Sequence, residues 1–508
     1  MRDDRLLYAA YKSKVFSADK AANLINNHDV VGVSGFTKAG DSKAVLPTFA
    51  ERAGEENIEI TLISGASLGY DTDGSLAKNN ALYKRMPFQV DATLRNEINQ
   101  ENILYIDQHL SETAEQLQNG HLPKIDIAIV EAVGVTEEGH IIPTTSVGNS
   151  ATFLAMAHRI IIEINESVPL AFEGIHDIKV QKAVPHREIL PITSCDSRVG
   201  DPFIKIDPNK VEAIVFTQKP DAPATIAAPD KKTISIAEHL MKFFEDEVEA
   251  GRLGKSLLPL QAGIGKIANA VLAGFLNSPF ENLSMYSEVL QDSTFQLIDS
   301  GKMNFASASS ITVSEECYDK LIENFEDYKD KIVLRPQNIS NAAEVIRRLG
   351  VIAINTAIEF DIYGNVNSTH LTGTRMMNGI GGSGDFARNA YLSVFVCPSI
   401  SKGGSISHVV PMVSHTDHTE HDVDILVTDQ GLADLRNLAP IERAQKIIDN
   451  CVHPDYHEQM QSYFDQAKLQ KGHTPHILQN AFSWHTNLNE NGTMMMKQNS
   501  TNLYCGKV

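Results

Sequence analysis

Short apolar runs alternate with longer amphipathic stretches along the chain. The segments DVVGVSG (29–35), IEITLISG (58–65), KIDIAIVEAVG (124–134) and RIIIEI (159–164) are brief, rich in β-branched residues and bounded by turn formers. That combination predicts buried strands. SADKAANLINN (17–27), KAVLPTFAERA (43–53) and TISIAEHLMKFFEDEV (233–248) carry apolar residues at helical spacing, which predicts helices. Ser17 stands at an N-cap position, and Asp19 falls in the first turn behind it. Strands alternating with helices mean an α/β fold with mostly parallel sheets covered by helices.

The pattern breaks at Gln218–Lys232. QKPDAPATIAAPDKK holds three prolines and no apolar periodicity, and reads as a linker. It predicts two units, 1–222 and 223–508. Their sequences match weakly but in the same order. Ser34-Gly35-Phe36 corresponds to Ala262-Gly263-Ile264, and Leu62-Ile63-Ser64-Gly65 to Met285-Tyr286-Ser287-Glu288. Ala128 through Gly139 corresponds to Ala353 through Gly364. Asn149–Phe153 with Ala157 corresponds to Gly382–Phe386 with Ala390. The offsets drift only between 223 and 233 positions. Four ordered matches indicate a duplicated α/β domain, with an active site expected in the cleft between the copies. The polar end from about Asn487 has no periodicity and reads as a loosely held tail.

Composition narrows the function. Asp and Glu total 64 against 44 Lys and Arg, a net charge of −20 over 508 residues. A chain this acidic lacks the basic face that general nucleic-acid binding needs, although a local basic pocket for one anion is compatible with it. Cys195, Cys317, Cys397, Cys451 and Cys505 are odd in number and widely spaced, which argues against a disulfide framework and a cysteine zinc site. No uncharged apolar run approaches the length of a membrane span. The expected compartment is the reducing cytoplasm.

Candidate chemistry gathers in the second half. Where the first copy has Gly65, the second has Glu288, at the end of the predicted strand Leu283–Ser287. Ligand sites of open α/β sheets lie at strand carboxyl ends. A carboxylate there can act as a base or a nucleophile, or can simply be an exposed residue leading into the following helix. Gly263-Ile264-Gly265-Lys266 opens the next predicted helix and can offer backbone N–H groups to an anion, or form a tight packing turn. Ala268 stands where a dinucleotide fingerprint would need its third glycine. The run Asn378–Phe386 (NGIGGSGDF) is the densest in glycine and can present bare N–H groups to an oxyanion. His408, His415, His418 and His421 lie among acidic residues, a composition open to metal binding. Pro411 and the threonines favour a polar loop instead.

Taken together, these motifs resemble the acetyl-CoA hydrolase/transferase family, a branch of the class I CoA-transferases. The resemblance runs nearly end to end. It is carried by SGFTKAGDSKAVLP (34–47), QAGIGKIANAV (261–271), YSEVLQD (286–292), residues 335–370, NGIGGSGDF (378–386) and VTDQGLADLR (427–436). The resemblance implies a duplicated, double-wound α/β fold, usually a dimer, with coenzyme A as substrate and product and no metal. It implies that Glu288 attacks an acyl-CoA thioester and later carries CoA as a glutamyl thioester, in ping-pong exchange with a second carboxylate. Asn341 would orient Glu288 or donate to the acyl oxygen, with oxyanion donors at Gly382 and Ile264. CoA would contact Gly263, Ile264, Gly265, Lys266, Ile267, Ile358, Asn378, Gly382 and Lys402.

The implied partners are acyl-CoA and a small carboxylate: acetate first, with succinate or propionate as alternatives. No nucleic acid or membrane partner is expected. Two positions depart from the family pattern. Asp221-Ala222-Pro223 stands where relatives often have Asp-Arg-Asn, which bears on the acyl group, and Asp429-Gln430 replaces Glu-Tyr. Hydrolysis of acyl-CoA on the same scaffold, or silent CoA binding by a regulator, are the competing expectations.

Overall fold

The computed structural model describes residues 3–225 and 228–496. The first large sheet has seven strands, all parallel, in the spatial order Leu104–Tyr105, Leu82–Met86, Ile60–Ile63, Val30–Val33, Ile127–Ala132, Arg159–Asn165 and Val211–Thr217. The second has eight: Ile332–Leu334, Met303–Ala308, Leu283–Tyr286, Leu260–Ala262, Ile352–Thr356, Leu392–Val396, Ile425–Val427 and Leu432–Asp434. Only the last of these pairs antiparallel. Each sheet draws its strands from one side of residue 222, and both wind outward from their first strand in the same order. All four sequence matches fall on corresponding elements. The pairing repeats as well: Val30–Val33 pairs in parallel with Ile60–Ile63 and Ile127–Ala132, as Leu260–Ala262 does with Leu283–Tyr286 and Ile352–Thr356.

Burial explains the runs. Every residue of Ile127–Ala132 is buried, as is all of Arg159–Asn165 except Arg159, because helices cover both faces of a parallel sheet. Local departures have local causes. The helix predicted from Ser17 ends after one turn, at Ala18–Ala22. The helix Lys231–Glu249 begins inside the expected linker, where Asp230 accepts from Thr233 N–H and Thr233 returns the bond, a reciprocal cap that starts a helix.

Nor is Asp221, in the described part of that stretch, slack. Asp221 accepts from Gly40 N–H (2.9 Å), from Thr145 and from the buried Lys43. The polar end is ordered where described: Ser483–Asn491 is helical, Trp484 is fully buried against Tyr456, and Met494 is buried. The sequence signal failed there because few apolar anchors suffice to dock a short helix. Cys505 and the end of the tail lie outside the described residues. The four described cysteines are unpaired. Among the described residues no helix is long and apolar enough to cross a membrane.

The halves meet along a polar seam. Gln337 donates from its N–H to Gly148 O (3.0 Å) and from its side chain to Leu110 O (2.8 Å). Thr37 and Thr312 hydroxyls bond at 2.8 Å. Buried Arg335 pairs with Asp177 and donates to Cys195 O. An ion pair shielded from water is costly to break from one side, so this seam sets how the two sheets face each other.

Candidate active site

Glu288 follows the carboxyl end of Leu283–Tyr286, beyond Ser287, and precedes the two-residue strand Val289–Leu290. Its carbonyl accepts from Ser309 N–H (2.8 Å) and Ser310 N–H (3.1 Å), which fixes the backbone. The side chain is 9% exposed and faces a cavity of about 130 Å³ lined by both halves. Burial pushes its pKa up to about 7 against the Asn341 hydrogen bond, and the nearby Asp385 carboxylate adds to the rise.

Asn341 donates through Nδ2 to Glu288 Oε1 (2.7 Å) and to Asp385 Oδ2 (3.0 Å). Gly382 closes the other side. A Cβ built on it would lie 1.8 Å from Glu288 Oε1, so only glycine fits. Its φ of −92° is ordinary, and close approach alone sets the requirement. The five-residue helix Ser383–Ala387 begins directly after it.

The glycine run is strapped to the first half. Tyr105 Oη donates to Asn378 O (2.7 Å), Ile380 N–H to Asp107 Oδ1 (2.8 Å), and Arg95 Nε to Met377 O (2.5 Å). A Cβ on Gly379 would meet Tyr105 Oη and Asp107, and one on Gly384 would meet His109. These glycines therefore permit close docking of the run against the first half. The sequence reading missed the first-half wall of Phe36, Ala66, Phe88 and Leu110, which lines the cavity with Thr37. Phe36 and Thr37 lie in the 34–47 motif but carried no assigned role, and nothing local to Ala66, Phe88 or Leu110 marks that they line this cavity through the fold. It also passed over Asp385, although a lone acid inside a glycine run was a usable signal.

The other residues singled out in the sequence separate into two groups. Gly263, Ile264, Asn378 and Gly382 line the cavity with Glu288. Ile264 is 46% exposed. Gly265 caps the helix Lys266–Gly274 at φ 122°, and a Cβ there would meet nothing within 4 Å. That helix start is open. Ile267 packs on the core.

Lys266 pairs with Asp230 (2.8 Å). Two residues on from Asp230, Lys232 donates to Ile400 O (2.6 Å), in the hairpin that turns at exposed Lys402. Ile358 and Lys402 do not line the cavity. Ile358 O instead meets His408 Nδ1 (2.5 Å). Asp429 holds the Ser399 turn, accepting from its N–H at 2.5 Å.

His408, His415 and His418 of the cluster make contacts within the fold. His418 Nε2 meets Ser383 Oγ (3.0 Å), and the His415 and His370 rings lie tilted against each other with centroids 3.8 Å apart. Among the described residues no group of three or more His, Cys, Asp or Glu is arranged to hold a metal ion.

Residues 1–216 match the acetyl-CoA hydrolase/transferase N-terminal domain, and residues 314–464 match the C-terminal domain. The chain belongs to the acetyl-CoA hydrolase/transferase family. It is similar to a succinyl-CoA:acetate CoA-transferase of Clostridium kluyveri, 48% identical over 97% of this chain and 92% of that protein. It is also similar to an acetyl-CoA hydrolase of Schizosaccharomyces pombe (44% identical; 96% of this chain, 98% of that one). A propanoyl-CoA:succinate CoA transferase of Escherichia coli K12 is 43% identical (94% and 98%). Among solved structures, 4-hydroxybutyrate CoA-transferase from Porphyromonas gingivalis superposes with a TM-score of 0.61 at 20% identity, covering 90% of this chain and 98% of that one. That likeness shows the fold. Membership makes this chain an enzyme of acyl-CoA chemistry whose substrates carry coenzyme A.

Proposed function

We propose that the protein moves CoA between short acyl-CoA thioesters and small carboxylates, with succinyl-CoA and acetate as the leading pair. Glu288 is the nucleophile of this reading. One observation carries it: the Glu288 carboxylate ends a sheet strand, buried between the Gly382 backbone and the Asn341 amide, and faces a cavity between the halves. A Glu288 oxygen bonds to the acyl carbon, the C–S bond breaks, and CoA leaves as thiolate with the electron pair. The thiolate then bonds to the glutamyl carbonyl carbon of the anhydride, expelling the first carboxylate and leaving a glutamyl-CoA thioester. The acceptor carboxylate reverses these steps.

A carboxylate suits this chemistry because it forms an anhydride and is regenerated by exchange. The N–H groups of Gly382 and Ile264 are the proposed donors to the tetrahedral oxyanions, each worth about 3 kcal/mol. The open start of Lys266–Gly274 suits the CoA chain, and Lys266 and the Lys402 hairpin flank the start of helix Lys231–Glu249 as partners for CoA phosphates. Units 1–222 and 223–508 would then form the two walls of the cleft. The family resemblance favours a cytoplasmic homodimer as the working form.

Relatives named as acetyl-CoA hydrolases at 42–44% identity support a second reading, in which water resolves the acyl-enzyme. Acetate-dependent consumption of succinyl-CoA supports transfer, whereas thiol release without acetate supports hydrolysis. Incubation with acyl-CoA followed by peptide mass spectrometry tests the nucleophile itself. A CoA adduct on the peptide containing Glu288 is expected, and a label elsewhere in active enzyme overturns the assignment.

A further inference from the structure

The Asn341 side chain has one donor nitrogen with two hydrogens, and both are engaged by carboxylates. One points at Glu288 Oε1 (2.7 Å), the other at Asp385 Oδ2 (3.0 Å). The amide oxygen has no hydrogen-bond partner among the described residues. Turning the amide over would set that oxygen against two acids, so the pair of carboxylates selects its orientation. Asp385 is in turn gripped by the first half. Its Oδ1 accepts from Ser111 Oγ (2.6 Å) and its Oδ2 from Ser111 N–H (3.1 Å). Asp385 also lies in the helix that begins beside Gly382. The two groups that bracket Glu288, a backbone and an amide, are thus located by one short element.

We propose that Asp385 is a positioning residue for Glu288, acting through the Asn341 amide and anchored across the domain seam by Ser111. The proposal rests on the reading of Glu288 as nucleophile. The choice of residue type supports it. A neutral Asn could accept from Ser111 N–H and Asn341 through its oxygen and donate to the Ser111 hydroxyl without repelling Glu288, yet a buried acid stands there, 8% exposed. Its charge works against the free Glu288 carboxylate, raising its affinity for an electrophile as for a proton. When Glu288 becomes an anhydride or thioester its charge is gone, and so is the repulsion. Asp385 therefore favours the covalent enzyme over the resting one. Its other charged or titratable neighbour is His109, on the first-half loop, which opposes the rise in its own proton affinity. Ser383, two residues before it, bonds the neutral ring of His418.

The test compares Asp385→Asn, Asp385→Ala and Ser111→Ala in the full chain, with Glu288→Ala as control. Asp385→Asn keeps the shape and, with its oxygen toward Ser111 N–H and Asn341, two of the accepted bonds; its amide donates to Ser111 Oγ in place of the third, and the charge is removed. The acid limb of kcat/KM is expected to move down by about one pH unit. The fraction of enzyme carrying CoA with limiting acetyl-CoA, read by intact-protein mass spectrometry, should fall by about tenfold in equilibrium constant. Asp385→Ala also frees the amide and should lower kcat by about 10²-fold with KM for acyl-CoA unchanged. Ser111→Ala should lie between wild type and Asp385→Ala. A wild-type pH profile and adduct level in Asp385→Asn overturns the proposal, as does a kcat loss in Asp385→Ala that matches its loss of folded protein. Turnover surviving in Glu288→Ala would instead overturn the reading of the nucleophile.

Discussion

Replacing Glu288 by Gln should stabilise the protein by an amount that grows as pH rises above about 4.5 and is complete above about 7. In the folded chain this carboxyl has its pKa raised from an ordinary 4.5 to about 7, chiefly by burial. A raised carboxyl means that the folded state holds its proton more tightly than the unfolded state. The cost of ionising it in the fold is absent below about pH 4.5, grows between pH 4.5 and 7, and is complete above 7. At about 1.4 kcal/mol per pH unit, it amounts to about 3 kcal/mol. Gln has the same shape, accepts the same Asn341 hydrogen bond, and carries no charge to desolvate or to set against Asp385. An unfolding entropy of about 2.1 cal/mol/K per residue gives about 1 kcal/mol/K for this chain, so the melting point should rise about 3 °C at pH 8. At pH 4.5 the two proteins should melt together. Scanning calorimetry of both, without CoA, at pH 4.5, 6 and 8 reads the difference directly. Equal melting at pH 8, or a gain that persists undiminished at pH 4.5, would show that Glu288 is not an ionised, desolvated group in the resting fold.

Three further outcomes follow from the same geometry. Gly382→Ala drives a methyl group into Glu288 Oε1 and should cut kcat by at least about 10²-fold while the protein still folds, as measured by steady-state kinetics beside circular dichroism. The wild-type kcat/KM should rise with pH along a limb centred near 7, because only ionised Glu288 attacks; a flat profile from pH 5.5 to 8 would contradict the burial of that carboxylate. Lys43→Met leaves Glu131, Asp221 and Asp41, now paired to Lys43 at 2.6, 2.9 and 3.6 Å, without their buried cation. Urea unfolding should show a loss of about 3–5 kcal/mol, larger at pH 8 than at pH 5, since protonation relieves the stranded acids.

What could be read from the chain and what could not divide along one physical line. Strands, glycine turns and the duplication are local or periodic, so Val30–Val33, the turn at Gly263 and the order of the repeat were all visible in the letters. Contacts made by folding were not. Nothing near Tyr105, Asp107 or Ser111 announces that they clasp a loop some 270 positions away.

The duplication also explains why only one copy carries the acid. At Gly65, the counterpart of Glu288, a Cβ would lie 2.5 Å from Gly35 O and 2.8 Å from the Gln337 side chain. Gln337 comes from the second half and also bonds Leu110 O. The first copy's strand end is therefore filled, by its own Gly35 carbonyl and by Gln337 of the second half, leaving no room for any side chain. The second copy's strand end faces Phe36, Ala66 and Leu110 across an open cavity. Two identical sites facing each other could not both be filled and both be open. One copy became the wall, and the carboxylate at position 288 is reactive because the other copy closes over it without plugging it.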